Sequence, residues 1–312
     1  MSERAFAIGG ENLIDHVTRD GQVSAKVGGS PFNVAMGLGR LGANVSYVSP
    51  ISTDPWGGKL AATLTACGVA LTGGRVDLPT TMARVEVTNG HPRYRFEREG
   101  TAERAVDRDW ITARIKDAGV VHTGSLTLTR GDDAKAWADA LALAYARGQF
   151  VSVDPNVRMS VVEDAEVYRA RIFAVCRTAH VIKLSDEDLS ALFPGQPEAE
   201  AMAALRDLAS AELIVLTKGA KGAAAFLGGT KVEIDAAPVP RLLDAVGAGD
   251  TFTATVLWAL SAKGFLTPPK LKNLGPDLLR EILMQASTAA AINCGREGCD
   301  PPTLAELDGA LA

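Results

Sequence analysis

The sequence predicts an α/β fold, with a mostly parallel central sheet and helices on both of its faces. Three observations predict it. Short apolar runs rich in branched residues alternate with longer runs of helical period, the pattern of repeated βαβ units. The chain has 312 residues, 47% hydrophobic and 22% charged, which is the composition of a globular protein able to bury a full core without staples. No Pro/Gly linker, internal repeat or low-complexity stretch interrupts the alternation, so a single domain over residues 1–312 is expected.

The elements follow in order. Strands are expected at Arg4–Ile8, Val45–Val48, Val120–His122, Phe150–Asp154, Val181–Leu184 and Leu213–Thr217. Helices are expected at Phe32–Leu41, Gly58–Cys67, Asp132–Arg147, Glu163–Cys176 and Glu198–Ala209. Ligands should then sit beyond the carboxyl ends of the strands. One segment breaks the rhythm. Thr81–Thr88 and Pro92–Glu97 alternate like strands around Asn89-Gly90, a strong hairpin-turn signal. A polar hairpin in a parallel fold reads as a lid or an oligomer interface, or else as an edge hairpin of the main sheet. Near the C-terminus, Lys218–Phe226 and Lys231–Asp235 suggest an antiparallel pair around Gly228-Gly229, followed by helices at Ala248–Ala262 and Pro276–Cys294.

The formal net charge of −5, with no basic run of five or more residues, argues against nucleic acid or an anionic membrane as the main partner. The N-terminal stretch lacks the basic and long apolar regions of a secretory signal, and the most apolar helical stretch, Thr251–Ala262, is too short to span a bilayer. Cys67, Cys176, Cys294 and Cys299 are scattered, without a CxxC pair, as are His16, His91, His122 and His180, so neither a zinc site nor a disulfide framework is expected. A reduced, cytoplasmic protein is the expectation.

Two nucleotide motifs can be set aside. Gly37, Gly39 and Gly42 spell GxGxxG, but Ser30 reads as an N-cap and Pro31 as a first helical residue. The glycines then lie on or at the end of a helix instead of opening one, where they permit close helix packing. A GxxxxGK[ST] phosphate loop is absent from the sequence.

The most informative segment is DAVGAGDTF, Asp244–Phe252, where a turn of small residues enters an apolar helix. Bare amides at a helix start make an anion site, reinforced by the helix dipole. Read alone, Asp250 is an ordinary helix-capping acid. Beside such a nest of amides it also suits phosphoryl transfer, which needs donors for the transferring phosphate and an acceptor for the hydroxyl proton.

DAVGAGDTF resembles the C-terminal signature of the ribokinase-like (PfkB) carbohydrate kinases. GGSPFNVAMGLGRLGANVSYVSPISTDPWG, Gly28–Gly57, resembles the N-terminal one. The resemblance covers essentially the whole chain. It implies a three-layer ribokinase-like fold with a small inserted β lid, here around residues 10–28 and 80–106, and ATP with Mg²⁺ as cofactor. By matching positions it implies that Asp250 is the catalytic base and that the amides of Gly247, Ala248 and Gly249 form its anion hole. It further implies sugar contacts from Asp15, Gly28, Gly29, Asn33 and Asn156, and phosphate binding by Arg158 in the DPNVR element. Read alone, Asp15 is a strand-end acid, Asn33 a first-turn helix residue and Arg158 a surface ion-pair partner. Lys183 and Ser185, in KLSDED, occupy the family's N-x-x-E region, where Asn has become Ser and the closing Glu has become Asp188. The latter is a candidate to hold Mg²⁺ through water. Thr217, Lys218, Gly219 and Gly222 match the loop under ATP, Asn293 falls where the family contacts adenine, and Asp244 where some members bind K⁺.

GENLID, GGSPFNVA, KLSDE and CGREGCDPP look most like bacterial fructokinases, followed by 2-keto-3-deoxygluconate kinase and ribokinase. Arg84, Arg93, Arg95 and Arg98 could serve an acidic sugar. A degenerate sugar-sensing protein would have lost the base or the anion hole, and both are present in sequence. Sugar and ATP are thus the expected partners, with a homodimer through the lid as a further expectation.

Overall fold

The computed structural model describes residues 5–19, 22–88 and 91–312. In chain order the first half contains β1 (Phe6–Ile8), β2 (Leu13–Arg19), β3 (Gln22–Gly28), α1 (Ser30–Arg40), β4 (Val45–Tyr47), β5 (Ile51–Ser52), α2 (Pro55–Ala66), β6 (Ala70–Leu71), β7 (Arg75–Val76), β8 (Thr81–Thr88), β9 (His91–Glu97), α3 (Arg108–Ile115), β10 (Val120–Gly124), α4 (Asp132–Ala146) and β11 (Phe150–Asp154). The second half adds α5 (Ala165–Cys176), β12 (Val181–Ser185), α6 (Asp186–Leu192), α7 (Glu198–Leu208), β13 (Leu213–Thr217), β14 (Ala223–Leu227), β15 (Thr230–Ile234), α8 (Ala248–Ala262), α9 (Pro268–Leu271), α10 (Pro276–Cys294) and α11 (Leu304–Leu311).

Nine strands form the main sheet, in the order β15-β14-β13-β12-β11-β10-β1-β4-β6. It is parallel from β6 to β13 and closes with the antiparallel pair β14 and β15. Because side chains alternate across a strand, each strand feeds two cores. On one face Phe6, Ile8, Val120, Phe150, Val181 and Val215 pack with Phe32, Leu257 and Ile282 from α1, α8 and α10. On the other, Ala7, Val121, Val151, Val153 and Ile182 pack with Trp137, Tyr168 and Ile172 from α4 and α5. Fully burying such a side chain contributes about 1.5–3 kcal/mol. The three-layer α/β architecture read from the sequence is the one observed.

Two details of the N-terminal reading change. Gly29, not Ser30, is the N-cap of α1, with no side-chain cap bond; Ser30 is the first helical residue, and its hydroxyl is used elsewhere. Two glycines of GxGxxG, Gly37 and Gly39, serve packing, whereas Gly42 has open space around it and φ 82 just after the helix. A Cβ on Gly37 would lie 2.8 Å from the Ala254 Cβ of α8, and one on Gly39 would lie 2.3 Å from the Cys67 carbonyl oxygen.

A second sheet, β3-β2-β8-β9, draws its strands from the two segments 10–28 and 80–106. β2 pairs antiparallel with β3 and parallel with β8, and β8 pairs antiparallel with β9. The hairpin is therefore not an edge of the main sheet; its expected turn at Asn89-Gly90 lies outside the described residues. The root of this sheet is tied down by a buried cluster. Arg98 pairs with Glu103 at 2.8 Å and with Asp133 at 3.4 Å, and Thr81 Oγ1 donates to Glu103 at 3.0 Å.

Candidate active site

The site is built from the start of α8. Gly247, its N-cap, has φ 77, a left-handed conformation that glycine adopts without cost. A Cβ there would also lie 2.3 Å from Cys299 Sγ. The Ala248 amide, expected in the anion hole, donates to the Ala245 carbonyl at 3.2 Å. That corrects the expected amide set. The amides of Gly247, Gly249 and Asp250 are the ones without an acceptor among the described residues.

Asp250 stands in the first turn of α8 and is 6% exposed. Ser30 Oγ donates to its Oδ1 at 2.7 Å and Asn33 Nδ2 donates to its Oδ2 at 2.7 Å. Two charge-assisted bonds from α1 thus fix the carboxylate's plane. The sequence suggests that the helix start keeps this acid strongly ionised; in the structure burial dominates and raises its pKa. The Ser30 and Asn33 bonds and the Lys183 charge work against burial, while Asp154 adds to it. The Oδ1 of Asn33 is buried without a partner among the described residues, an acceptor available to a bound hydroxyl.

Beneath the amides lies a buried ion pair. Lys183 Nζ donates to Asp154 Oδ2 at 3.0 Å, and Thr253 Oγ1 of α8 donates to the same oxygen at 3.1 Å. Burial opposes the Lys183 charge, but Asp154, Asp188 and Asp250 outweigh it and raise its pKa. Its ammonium lies 3.0 Å from where a Cβ on Gly249 would stand, directly against the amide nest. Neither the Thr253 contact nor the Asp154 pairing was visible in the sequence, since one joins residues 99 positions apart and the other 29.

Opposite stands the second sheet. Asp15 of β2 is half-buried, and burial, together with the charges of Asp244 and Asp250, lifts its pKa to about 6 against the pull of Arg158. Those couplings bring Asp15, Asp244, Asp250 and Arg158 into one electrostatic site. Gly28 makes room for Asp15, whose Oδ2 would lie 2.5 Å from a Cβ there. Gly29, at φ 111, sits so close to the chain that a Cβ would lie 2.4 Å from the Glu11 carbonyl oxygen. Glu11 itself, absent from the sequence reading, is 1% exposed; it accepts from the Ser30 amide at 3.1 Å and from Thr127 Oγ1 at 2.7 Å. Asn156 takes φ 39 after β11, with its amide on Asp154 Oδ1 at 3.2 Å. Its side chain has no hydrogen-bond partner among the described residues. Arg158 is exposed and donates only to the carbonyls of Asn156 and Val157 at 3.2 and 3.0 Å.

Several expected nucleotide and metal contacts have structural duties instead. Ser185 and Asp188 form a reciprocal capping box at the start of α6, and Asp188 Oδ1 also accepts the Val157 amide at 2.6 Å. Asp188 is thus a 5% exposed clamp on the DPNVR loop. Asn293 is fully buried; it donates to the Val246 carbonyl and accepts from the Asp300 amide, both at 2.8 Å, so it supports the loop before the anion hole. Gly222 is likewise buried, and a Cβ would lie 2.0 Å from the Ile234 carbonyl oxygen. Thr217 and Lys218 are half-buried and Gly219 is exposed at the carboxyl end of β13, beside Ser185. The Asp244 corner does not fit a potassium ion as it stands. Oδ1 accepts the Val246 amide at 3.0 Å, Oδ2 accepts the Gly298 amide at 2.9 Å, and the Lys26 ammonium lies 3.9 Å from Oδ2.

A doubly covered parallel sheet, with a carboxylate set in an amide nest beyond its strand ends, defines a ribokinase-like phosphotransferase. Residues 10–306 match the pfkB family carbohydrate kinases, and the chain belongs to that family. It is 34% identical over 281 residues to a fructokinase of Rhizobium leguminosarum bv. trifolii, covering 87% of this chain and 84% of that protein. It is 28% identical to the probable fructokinase-4 of Arabidopsis thaliana, covering 97% and 95%. The crystal structure of Xylella fastidiosa fructokinase with bound ATP superposes with a TM-score of 0.90 at 25% identity, covering 99% of this chain and 98% of that one. The chain is an ATP-dependent sugar kinase. No described helix is long and apolar enough to cross a membrane.

Proposed function

We propose that this kinase is a cytoplasmic fructokinase that transfers the γ-phosphoryl group of ATP to a hydroxyl of D-fructose. The single observation that carries the mechanism is the Asp250 carboxylate, oriented by Ser30 and Asn33 and set beside amides that lack acceptors. In this reading Asp15, Asn33 and Asn156 hold the sugar hydroxyls, whose donors and acceptors a carboxylate and two amide side chains can satisfy. Asp250 accepts the proton of the attacking hydroxyl while the amides of Gly247, Gly249 and Asp250 hold the phosphoryl oxygens. Arg158, free to swing, clamps phosphate oxygens. Thr217, Lys218 and Gly219 lie along the nucleotide. A bound Mg²⁺ would offset the negative charge of the phosphoryl groups. The residues fit an ion held mainly by phosphates and waters: among the described residues no group of three or more His, Cys, Asp or Glu forms a cage, and Asp186 and Glu187 stand less buried beside Ser185.

The second sheet is proposed as the lid that excludes water from the transfer. Shortening the β8–β9 hairpin should raise the sugar KM and the sugar-independent ATP hydrolysis. Its outer face is proposed as a homodimer contact, tested by light scattering. Fructose is favoured over 2-keto-3-deoxygluconate by the curated relatives and by the state of the arginines. Arg98 is buried on Glu103 and Asp133 and so is not free for a substrate carboxylate, and Arg84 pairs with Glu97 at 2.9 Å, while Arg95 stays exposed. An ATP-consumption screen against fructose, ribose, 2-keto-3-deoxygluconate, adenosine and tagatose tests the assignment; turnover of another sugar with none of fructose overturns it. Parallel assays in potassium and in sodium measure whether the Asp244 corner takes a monovalent cation despite Lys26.

A further inference from the structure

Lys26 lies in β3 directly opposite Asp15 of β2. Its stem crosses the loop after α10: a Cβ on Gly298 would lie 2.9 Å from Lys26 Cδ, so the glycine leaves room for it. Its ammonium lies 3.5 Å from Glu297 Oε2 and 3.9 Å from Asp244 Oδ2. Asp244 is the pivot of the segment that ends in the amide nest. It binds the amides of Val246 and Gly298, while the Leu243 amide donates to the Cys294 carbonyl at 2.9 Å. Lys26 therefore joins the sheet that carries Asp15 to the loop that carries Gly247 and Asp250.

We propose that Lys26 is a positioning residue, a latch that holds the sugar-facing sheet against the anion-hole loop and sets the distance between the two halves of the site. The proposal rests on the kinase reading above. The argument is one of charge. Asp15, Asp244 and Asp250 face one another across the seam between sheet and body, with Glu297 beside them, and their mutual repulsion favours separation. The cations that face this group are Lys183 of β12 against Asp250, Arg158 from the loop after β11 and Lys26 from the sheet itself. Arg158 is exposed and bonded only to carbonyls of its own loop, whereas Lys26 bridges the seam.

The test uses full-length Lys26→Met, which keeps the apolar stem, and Lys26→Arg, which keeps the charge. It begins once the wild-type enzyme turns over a sugar in the screen, so failure there is failure of the kinase reading and not of the latch. Exposed ion pairs are weak, so the expected change is modest: in Lys26→Met the sugar KM rises about threefold to tenfold with the ATP KM nearly unchanged. The acid limb of kcat/KM for the sugar should also move to higher pH, because the Asp244 charge, which already raises the Asp15 pKa, loses the ammonium beside it. Lys26→Arg should restore both, and Glu297→Gln should have a smaller effect that does not add to that of Lys26→Met. A wild-type sugar KM and an unmoved acid limb in a folded Lys26→Met enzyme overturn the proposal. So does a loss confined to thermal stability, or one in which the ATP KM rises alone.

Discussion

Replacing Ser30 by alanine removes one hydrogen bond from the buried carboxylate of Asp250 and nothing else that the hydroxyl makes. The bond is 2.7 Å long, and Asp250 is 6% exposed, so little water can take its place. A hydrogen bond to a charged group contributes about 1.5–3 kcal/mol, and one pKa unit corresponds to about 1.36 kcal/mol. Because Ser30 donates to the ionised form, its loss should raise the Asp250 pKa further. A base must be ionised, so the acid limb of kcat should move to higher pH, and at a fixed pH on that limb kcat should fall by about tenfold to a hundredfold, the factor to which the bond energy corresponds. At alkaline pH the enzyme should recover most of its plateau rate, since Asn33 still orients the carboxylate. The measurement is kcat against pH at saturating sugar and ATP, with a melting curve to show that α1 is intact. An unshifted limb, or a plateau that falls without any shift, refutes the reasoning and makes the hydroxyl a packing or substrate-binding group.

Asp250→Asn should fold and bind ATP, because Asn33 can reverse its amide to meet the new side chain, while kcat falls by about 10²–10⁴-fold with little change in sugar KM; retention of more than roughly a tenth of the rate rules Asp250 out as the base. With the Asp15 pKa lifted to about 6, kcat/KM for the sugar should fall as pH drops through that value, since a protonated Asp15 accepts sugar hydroxyls poorly. Asp15→Asn should flatten that limb, and pH–rate curves of the two enzymes decide it. Lys183→Met should cost about 3–5 kcal/mol in denaturant unfolding, because it strands Asp154, 0% exposed, as a buried unpaired charge. A loss below about 1 kcal/mol would refute the reading of Lys183 as the partner that keeps the buried Asp154 charge compensated.

What the sequence made legible is what local pattern encodes. The strands of β10 to β13 and the helices α4, α8 and α10 follow from hydrophobic period and turn residues, and their observed bounds differ by a residue or two at most. The motif DAVGAGD placed the site because amides, glycines and acid are contiguous in the chain. Partnerships between distant segments leave no such mark. Ser30 reads as an ordinary cap, yet its partner lies 220 residues away. Glu11 carries no local mark of its role until the fold buries it against Thr127 and the α1 amide. Asn293 and Asp188 match nucleotide and metal positions by motif, but a motif does not reveal that both side chains also hold backbone groups of distant loops.

The burial of Asp250 explains why this arrangement suits proton transfer better than a solvated acid at a helix start. An exposed carboxylate in that place would be held firmly ionised by the dipole and would be a weak base. Burial raises its proton affinity, and a catalytic pKa nearer the working pH improves general-base efficiency. Burial alone would push the acid further toward its protonated form, which cannot accept a proton. Ser30, Asn33 and Lys183 pull the balance back, the first two from α1 and the third from β12. The base is therefore set by opposing contributions that can be removed one at a time. Loss of the Ser30 or Lys183 contribution should shift the limb to higher pH; loss of the Asp154 charge should shift it lower. The ordering of those shifts follows from the geometry before any rate is measured.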